Sequence, residues 1–264
     1  VLTTLITGIA PLSAVDQALP LLRLKNKLDY YIPSMDEVPF GLGINSSFEL
    51  NPKSIKLLVW NMFKGEKPNW KQDFLNLSKQ ADLLLLQEIF LNKKMTEVFE
   101  NQSVFRYNTA TSFIYREGNL RTGVATGSRV SANRLQWLRS KALEPIIKTP
   151  KVSHLAYFPI ADSEQELLTI NIHAINFVSV FALISQINDI LPKIKEHQGP
   201  VMFAGDFNTW SPDKLSFVKQ AMSKLGLEEV LFSPDTRMRT LEHPLDFIFI
   251  RGLNTKFSKV WGEL

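Results

Sequence analysis

Cysteine is absent from the 264 residues, and histidine occurs only four times. The missing thiols exclude a disulfide framework, a thiolate nucleophile and a cysteine-ligated zinc or iron–sulfur centre. Any metal must therefore be held mainly by oxygen ligands, which favours Mg²⁺, Mn²⁺ or Ca²⁺. The sequence also has no low-complexity run, no internal repeat and no groove-reading motif. Sequence-specific DNA recognition therefore has no support.

Long apolar segments are missing too. The stretch from Val1 to Ala14 is apolar, but a bilayer span takes about 20 such residues. Three interpretations stay open: the end of a signal or membrane segment, a helix, or a loop packed on the domain. Because the chain starts with Val1, we expect upstream sequence to be absent or removed. A cytoplasmic location is favoured, and export or membrane association stays open.

Charge is nearly balanced, with 30 basic and 26 acidic residues and a formal net charge of +4. The basic excess is local, because residues 121–151 hold seven Lys or Arg and one Glu. Such a segment can attract a polyanion, although a solvated surface loop gives the same pattern. Arg121 and Arg129 flank a predicted strand in this segment, and they are candidate clamps for substrate phosphates.

The chain divides into two parts. Residues 1–54 are punctuated by Pro and Gly and indicate an irregular lead-in that packs on the domain or precedes it. From residue 55 to residue 264 short apolar strands alternate with helices, and no linker interrupts them, which predicts one α/β domain. The predicted strands are 55–60, 82–87, 113–115, 123–126, 154–160, 166–172, 201–204 and 245–250. The predicted helices are 70–79, 177–194 and 214–225, with Pro192 expected to kink or break the second one.

Polar side chains occur at the ends of the apolar strands. Ligand sites in layered α/β folds collect at strand ends, and a buried carboxylate without a partner is expensive. Several such residues at successive strand ends therefore point to one shared site. They are Asn61, Glu88, His173 with Asn176 nearby, Asp206 with Asn208, and Asp246.

The ordered set of motifs resembles that of the endonuclease/exonuclease/phosphatase superfamily. This superfamily includes deoxyribonucleases, neutral sphingomyelinases, inositol polyphosphate 5-phosphatases and abasic-site endonucleases. Residues 122–126, 171–177 and 245–252 further resemble a little-characterised bacterial branch of it. The motifs that carry the resemblance are Asn61, Gln87-Glu88, His173, Gly205-Asp206-Phe207-Asn208 and Leu245-Asp246-Phe247-Ile248.

The resemblance implies a four-layer α/β/β/α sandwich with two mostly antiparallel mixed sheets. It also implies hydrolysis of phosphoric esters with Mg²⁺, or Mn²⁺, as cofactor. In that scheme Glu88 is a metal ligand, and Asn61 orients the metal shell or a site carboxylate. His173 contacts the phosphate, Asp206 positions and deprotonates the attacking water, and Asn208 hydrogen-bonds the phosphate. A surface Glu, a turn-capping Asn and a core His are the ordinary alternatives.

Asp246 is expected to orient the imidazole of a His–Asp pair. In the family that imidazole comes from a final Ser-Asp-His motif, and the chain ends where this motif and its strand would begin. We expect truncation rather than natural loss, because the other site residues are present. The 264 residues by themselves should then hydrolyse poorly or not at all. His243 lies three residues before Asp246 and is a poor substitute.

The substrate class stays open at this point. The basic segment allows nucleic acid, and His173 together with the apolar start allows a phospholipid head group. Asn176, Arg121 and Arg129 are the candidate substrate-binding residues. Abasic-site endonucleases generally lack a His at the position of His173, so that activity ranks low. No obligate protein partner is inferred, and a monomer is expected. The alternative function is a non-catalytic binding or scaffold protein with a degenerate hydrolase fold.

Overall fold

The structure is a computed structural model that describes residues 2–7 and 29–261. Its helices are α1 (Trp70–Ser78), α2 (Lys93–Glu100), α3 (Val180–Glu196) and α4 (Pro212–Lys224). Its strands are β1 (Leu2–Thr7), β2 (Tyr30–Tyr31), β3 (Pro39–Gly43), β4 (Ile55–Asn61), β5 (Leu83–Phe90), β6 (Arg106–Tyr115), β7 (Leu120–Ser128), β8 (Arg134–Arg139), β9 (Val152–Pro159), β10 (Glu166–His173), β11 (Val201–Asp206), β12 (Glu228–Glu229), β13 (Arg239–Thr240), β14 (His243–Pro244), β15 (Asp246–Arg251) and β16 (Leu253–Lys259).

Two large mixed sheets form the centre of the fold. The first has the order β16-β1-β4-β5-β7-β6-β2, with β3 also paired to β6, and the second has the order β12-β15-β11-β10-β9-β8. The pairs β1–β16, β1–β4, β4–β5 and β10–β11 are parallel, and the other pairs in these sheets are antiparallel. This arrangement confirms the predicted α/β class with two mostly antiparallel mixed sheets.

The layer order follows from alternation along the strands. In β4, Ile55, Leu57 and Val59 pack in the core between the two sheets, whereas Leu58 and Trp60 pack against α1 and α2. A separate core joins the outer face of the second sheet to α3 and α4. Both faces of each sheet are therefore apolar, and this is why the strands are apolar without interruption. The result is the predicted four-layer sandwich.

Helix α3 runs through Pro192 as one element, so the interruption that was one of the two expected effects of this proline does not occur. Proline removes one backbone hydrogen bond and crowds the preceding turn. The helix continues because its apolar stripe, which includes Leu183, Ile187 and Ile194, is buried against the second sheet. Tertiary packing thus outweighs the local cost. In the described residues, no helix combines the length and apolar character needed to cross a membrane.

The lead-in is more regular than predicted. Strands β1, β2 and β3 lie within residues 1–54, and all three pair within the first sheet. In β3 the Pro and Gly residues concealed the strand, because a short strand at the edge of a sheet tolerates both residue types. Strand β16 after β15 is another element that the pattern did not predict. The rest of the lead-in, residues 8–28, and the terminal residues 262–264 lie outside the described residues.

We predict that His154 makes the fold sensitive to acid. This β9 residue is buried between the sheets, with Nδ1 at 2.9 Å from Thr126 Oγ1 of β7. Burial lowers its pKa to about 4, below the unfolded value of about 6.5. Between these values the unfolded chain binds the proton more strongly. The free energy of unfolding should therefore fall by up to about 1.4 kcal/mol per pH unit as the pH drops.

The variant His154→Asn isolates this contribution. Urea unfolding of both proteins across that pH range should give a shallower pH dependence for the variant, whatever its stability at neutral pH. Equal pH dependence in the two proteins would contradict the assignment.

Candidate active site

Five of the predicted site residues meet at one end of the sandwich. Asn61 ends β4 and Glu88 lies near the end of β5, whereas His173 ends β10, Asp206 ends β11 and Asp246 begins β15. His173 lies opposite Asp206 across the parallel pair, and Asp206 lies opposite Asp246 across the antiparallel pair. Parallel strands place their carboxyl ends at one edge, and the antiparallel β15 begins at that same edge.

Glu88 is turned into the site by an irregularity in β5. The register between β5 and β7 shifts between Leu86 and Ile89, and Glu88 itself has φ +49°. A β-bulge redirects a side chain, and a non-glycine residue in the left-handed region stores strain that the surrounding structure must hold. The Glu88 side chain is 15% exposed and faces the cavity described below.

Asn61 is the central hydrogen-bond donor of the cluster. Its Nδ2 lies 3.4 Å from Glu88 Oε1 and 3.3 Å from Asp206 Oδ2, while its Oδ1 accepts from the Phe63 backbone N–H at 3.1 Å. Because the amide oxygen is occupied by Phe63, the side chain presents its NH₂ group to the two carboxylates. In this arrangement Asn61 positions the two carboxylates, which is one of the two roles that the motif resemblance implied for it.

His173 faces the same two carboxylates. Its Nε2 lies 3.7 Å from Glu88 Oε1 and 3.8 Å from Asp206 Oδ2, beyond hydrogen-bond distance but within reach of a common ligand. Burial, followed by the ammonium groups of Lys151 and Lys64, lowers the pKa of His173 well below its ordinary value. The imidazole is therefore neutral near pH 7, and it can donate one N–H to a phosphoryl oxygen.

Three residues of the Gly205-Asp206-Phe207-Asn208 block each have a distinct structural role. Gly205 has φ +138°, and a Cβ there would lie 2.0 Å from the Ile172 carbonyl oxygen, so only glycine fits. Asp206 Oδ1 accepts from the Asn208 backbone N–H at 2.9 Å, and Asn208 Nδ2 donates to the Ala174 carbonyl at 2.8 Å. Asn208 Oδ1 is buried and has no hydrogen-bond partner among the described residues.

The buried carboxylates repel one another. Burial, reinforced by Glu88, raises the pKa of Asp206 to about 7. Burial, followed by the charge of Asp206, also raises the pKa of Asp246 well above its ordinary value. Two adjacent carboxyl groups out of water favour sharing a proton or a cation over carrying two charges.

The donor set fits a hard divalent cation. Among the described residues, no group of three or more His, Cys, Asp and Glu side chains is close enough to hold a metal ion by itself. Mg²⁺, however, is commonly held by one or two carboxylates together with waters and substrate phosphate. Glu88 and Asp206 supply carboxylates that both lie within 3.4 Å of Asn61 Nδ2.

The segment that carries His173 is held in place by buried side chains. From α3, Gln186 accepts from the Ile175 N–H at 2.8 Å and donates to the His173 carbonyl at 3.3 Å. Asn176 Oδ1 accepts from Trp210 Nε1 at 2.9 Å, and the Asn176 backbone hydrogen-bonds the Glu144 carboxylate. Asn176 thus lines the cavity beside His173, and its amide oxygen is already engaged.

The structure does not bring Arg121 and Arg129, the two candidate phosphate clamps, into the cluster around His173. Arg121 donates to the Glu37 carbonyl at 2.7 Å and lies over the Phe40 ring. Arg129 donates to the Ala81 carbonyl at 2.8 Å, at the opposite end of the sandwich from Asn61. Guanidinium groups can satisfy backbone carbonyls as well as phosphates.

The basic segment is not a continuous polyanion-binding surface either. Arg134 stacks over the Tyr157 ring, Arg139 donates to the Pro33 carbonyl and Lys141 pairs with Asp189 at 2.8 Å. Most of these cations are thus engaged with the protein, although they are clustered in the sequence.

The prediction missed several residues that surround His173. Lys64, Glu144, Lys151 and Phe177 line the cavity beside it, and Gln186 supports its backbone. Two of them could have been predicted from the sequence, because they lie close to motif residues: Lys64 is three residues after Asn61, and Phe177 follows Asn176. No pattern pointed to Glu144, Lys151 or Gln186, because only folding brings them to the site.

Comparison with known proteins decides the family. A model of the Endonuclease/Exonuclease/phosphatase family matches residues 58–263. The chain belongs to this family. A UPF0294 protein from Vibrio vulnificus (strain YJ016) is 36% identical over 206 residues, which cover 76% of this chain and 70% of that protein. A UPF0294 protein from Klebsiella pneumoniae (strain 342) is 32% identical over 209 residues, which cover 79% and 77%. The suspected resemblance, including its bacterial character, is confirmed.

Solved structures of this family share the fold. A family protein from Leptotrichia buccalis superposes with a TM-score of 0.53 at 18% identity, over 74% of this chain and 87% of that one. A mannosyl-6-phosphatase from Bacteroides thetaiotaomicron superposes with a TM-score of 0.50 at 17% identity, over 74% and 84%. At these identities the likeness establishes the architecture alone.

We predict that Asp206 costs the protein stability at neutral and alkaline pH. Its folded-state pKa of about 7 lies above the unfolded value of about 3.9, so the folded protein binds this proton more strongly than the unfolded chain does. The protonated carboxyl group therefore favours the folded state at low pH. That effect is lost as the pH rises from about 4 to about 7, at up to about 1.4 kcal/mol per pH unit. The variant Asp206→Asn should therefore melt higher than the wild type at about pH 8 in EDTA.

A second measurement tests whether a bound cation offsets the loss of stability that the Asp206 carboxylate causes. Adding Mg²⁺ should raise the melting temperature of the wild type and have little effect on Asp206→Asn. A variant that melts lower than the wild type at every pH would contradict the prediction.

Proposed function

We propose that the protein is a Mg²⁺-dependent phosphoric ester hydrolase, with Mn²⁺ as an alternative ion. The observation that supports this most is the convergence of Asn61, Glu88, His173 and Asp206 from four strands of two sheets, with the separations of 3.3 to 3.8 Å given above. Membership of the family favours the same chemistry.

The residues divide the work as follows. Glu88 would hold the cation with Asp206 beside it, and the cation would supply charge neutralisation at the phosphoryl oxygens. Asn61 keeps the two carboxylates in position. Asp206, which accepts from Asn61 and lies 3.8 Å from His173 Nε2, would position the attacking water and accept its proton. Neutral His173 donates a hydrogen bond to a phosphoryl oxygen, and this bond strengthens as negative charge develops there.

Asp246 lies next to this cluster, on the strand paired with that of Asp206. It lies opposite Asp206 in the strand register, and Arg237 donates to its backbone carbonyl at 3.0 Å. Burial and the charge of Asp206 raise its pKa, and a hydrogen-bonded partner that favours the carboxylate form would offset this effect. The imidazole of the expected His–Asp pair would be that partner.

The substrate class is a separate part of the proposal. A phosphodiester, in nucleic acid or in a phospholipid head group, is the substrate that the motif set favours. The named activity of the Bacteroides neighbour, a mannosyl-6-phosphatase, adds a phosphomonoester as a third candidate. Plasmid DNA, sphingomyelin vesicles and mannose 6-phosphate, each with the full-length gene product, separate these classes.

We predict Mg²⁺-dependent turnover that depends on Glu88. The full-length gene product should release product from at least one of these substrates with Mg²⁺ and lose that activity in EDTA. Glu88→Gln should lower kcat by about a hundredfold or more, because it removes an anionic ligand. Glu97→Gln, at an exposed position on α2, is the matched control and should behave like the wild type.

Three outcomes would contradict the proposed mechanism or favour its alternative. Turnover in EDTA, or full activity of Glu88→Gln, would exclude this mechanism. No turnover of any substrate with Mg²⁺ or Mn²⁺ would favour the non-catalytic binding protein.

A further inference from the structure

A cavity opens beside Glu88 and His173, and its walls differ from the polar cluster at its base. Three phenyl rings, those of Phe63, Phe113 and Phe177, line it together with Ile147 and Val152. The side chains of Lys64 and Lys151 reach the same cavity. An apolar wall with a few convergent charges is the usual composition of a small-molecule site.

Lys64 is brought to the cavity by a strained turn. Phe63, Lys64 and Gly65 have φ values of +44°, +54° and +72°, so three successive residues are in the left-handed region. Asn61 holds the first of them through the Phe63 N–H. A Cβ on Gly65 would lie 2.9 Å from the Trp70 ring, so the turn packs tightly. Strain of this kind persists where a function requires it.

The Lys64 ammonium retains capacity for an anion. Its Nζ donates to the Tyr115 hydroxyl at 3.2 Å, and no carboxylate of the described residues lies within 4.0 Å of it. Burial opposes the charged form, but Tyr115 and Glu88 outweigh this effect and raise the pKa of Lys64. An ammonium has three N–H donors, so two remain for a ligand.

Lys151 has a different task. Its Nζ pairs with Glu144 at 3.2 Å, and both side chains are largely buried. Glu144 in turn holds the Asn176 backbone. Lys151 therefore stabilises the wall, and Lys64 is the cation whose donors are available to a substrate.

Two polar groups of the wall, the Ser112 hydroxyl and the Asn176 amide oxygen, are already engaged within the protein. Ser112 Oγ donates to the Pro150 carbonyl, and Asn176 Oδ1 accepts from Trp210 and from the Phe177 N–H. A hydroxyl-rich substituent such as a sugar would lose its water here without gaining these partners. An aromatic or apolar substituent has no hydrogen bonds to water to lose, and it gains contact with the phenyl rings.

We propose that this cavity is a substrate subsite, in which Lys64 binds a phosphoryl oxygen and the rings of Phe63, Phe113 and Phe177 bind an aromatic or apolar substituent of the phosphate ester. The assignment rests on the proposed function, since it places the phosphate beside His173. It adds a class of substrate, because esters with a ring next to the phosphate should be preferred over those with a small or hydroxylated group.

Binding of non-hydrolysable phosphonates tests the subsite without turnover. In calorimetric titrations of the full-length gene product with Mg²⁺, phenylphosphonate should bind about tenfold or more tightly than methylphosphonate. Lys64→Met should weaken both ligands by about tenfold or more, because it removes a charge-assisted hydrogen bond and keeps the apolar stem. Lys64→Arg should restore part of this loss.

Phe177→Ala separates the rings from the charge. It should abolish the preference for the phenyl group and leave methylphosphonate binding almost unchanged. The matched controls are Lys71→Met and Phe48→Ala, both at exposed positions, and they should bind like the wild type. Thermal melting of each variant establishes that it is folded.

The outcomes distinguish this inference from the hydrolase proposal. Equal binding of the two phosphonates, or unchanged binding by Lys64→Met, overturns the subsite even if phosphate esters are hydrolysed. Phenyl preference that depends on Phe177 and Lys64 supports the subsite even if no tested ester turns over, a result that would count against the hydrolase alone.

Discussion

A buried hydrogen bond between the two sheets fixes the geometry on which the site depends. Gln87 Nε2 of β5 donates to Asn171 Oδ1 of β10 at 2.6 Å. Asn171 Nδ2 then donates to the carbonyls of Leu86 and Ala125 in the first sheet. Two sheets that meet only through apolar side chains could slide, whereas this network fixes their register. Glu88 and His173, the neighbours of these residues in sequence, are thereby held face to face.

The site is assembled from unusual backbone as well as from unusual side chains. Phe63, Lys64, Glu88, Phe177 and Asn208 all have positive φ, and all belong to the cluster or to the cavity beside it. Each such conformation costs free energy, of the order of 1 kcal/mol or more. The surrounding sandwich, with continuous cores on both faces of each sheet, supplies the rigidity that maintains them.

Electrostatics adds a second cost in the same place. Asp206 and Asp246 are buried opposite each other, and Glu88 adds a third carboxylate. The hydrogen bonds of Asn61 and the backbone N–H of Asn208 offset only part of the repulsion. The repulsion between these carboxylates lowers the stability of the folded protein. The same repulsion favours binding of a cation or a proton, so the feature that destabilises the fold is also the one that suits the proposed chemistry.

The sequence by itself determined the fold class and the polar residues that stand at the strand ends. Uninterrupted apolar strands require layers on both sides, and Glu88, His173 and Asp206 stand at strand ends because their carboxyl and imidazole groups tolerate burial only in a shared site. Only the tertiary structure decided the rest. Asn61 turned its oxygen to Phe63, Arg121 and Arg129 turned to backbone carbonyls, and the packing of α3 kept Pro192 helical. Such outcomes depend on partners that are distant in sequence, and a pattern along one chain does not contain them.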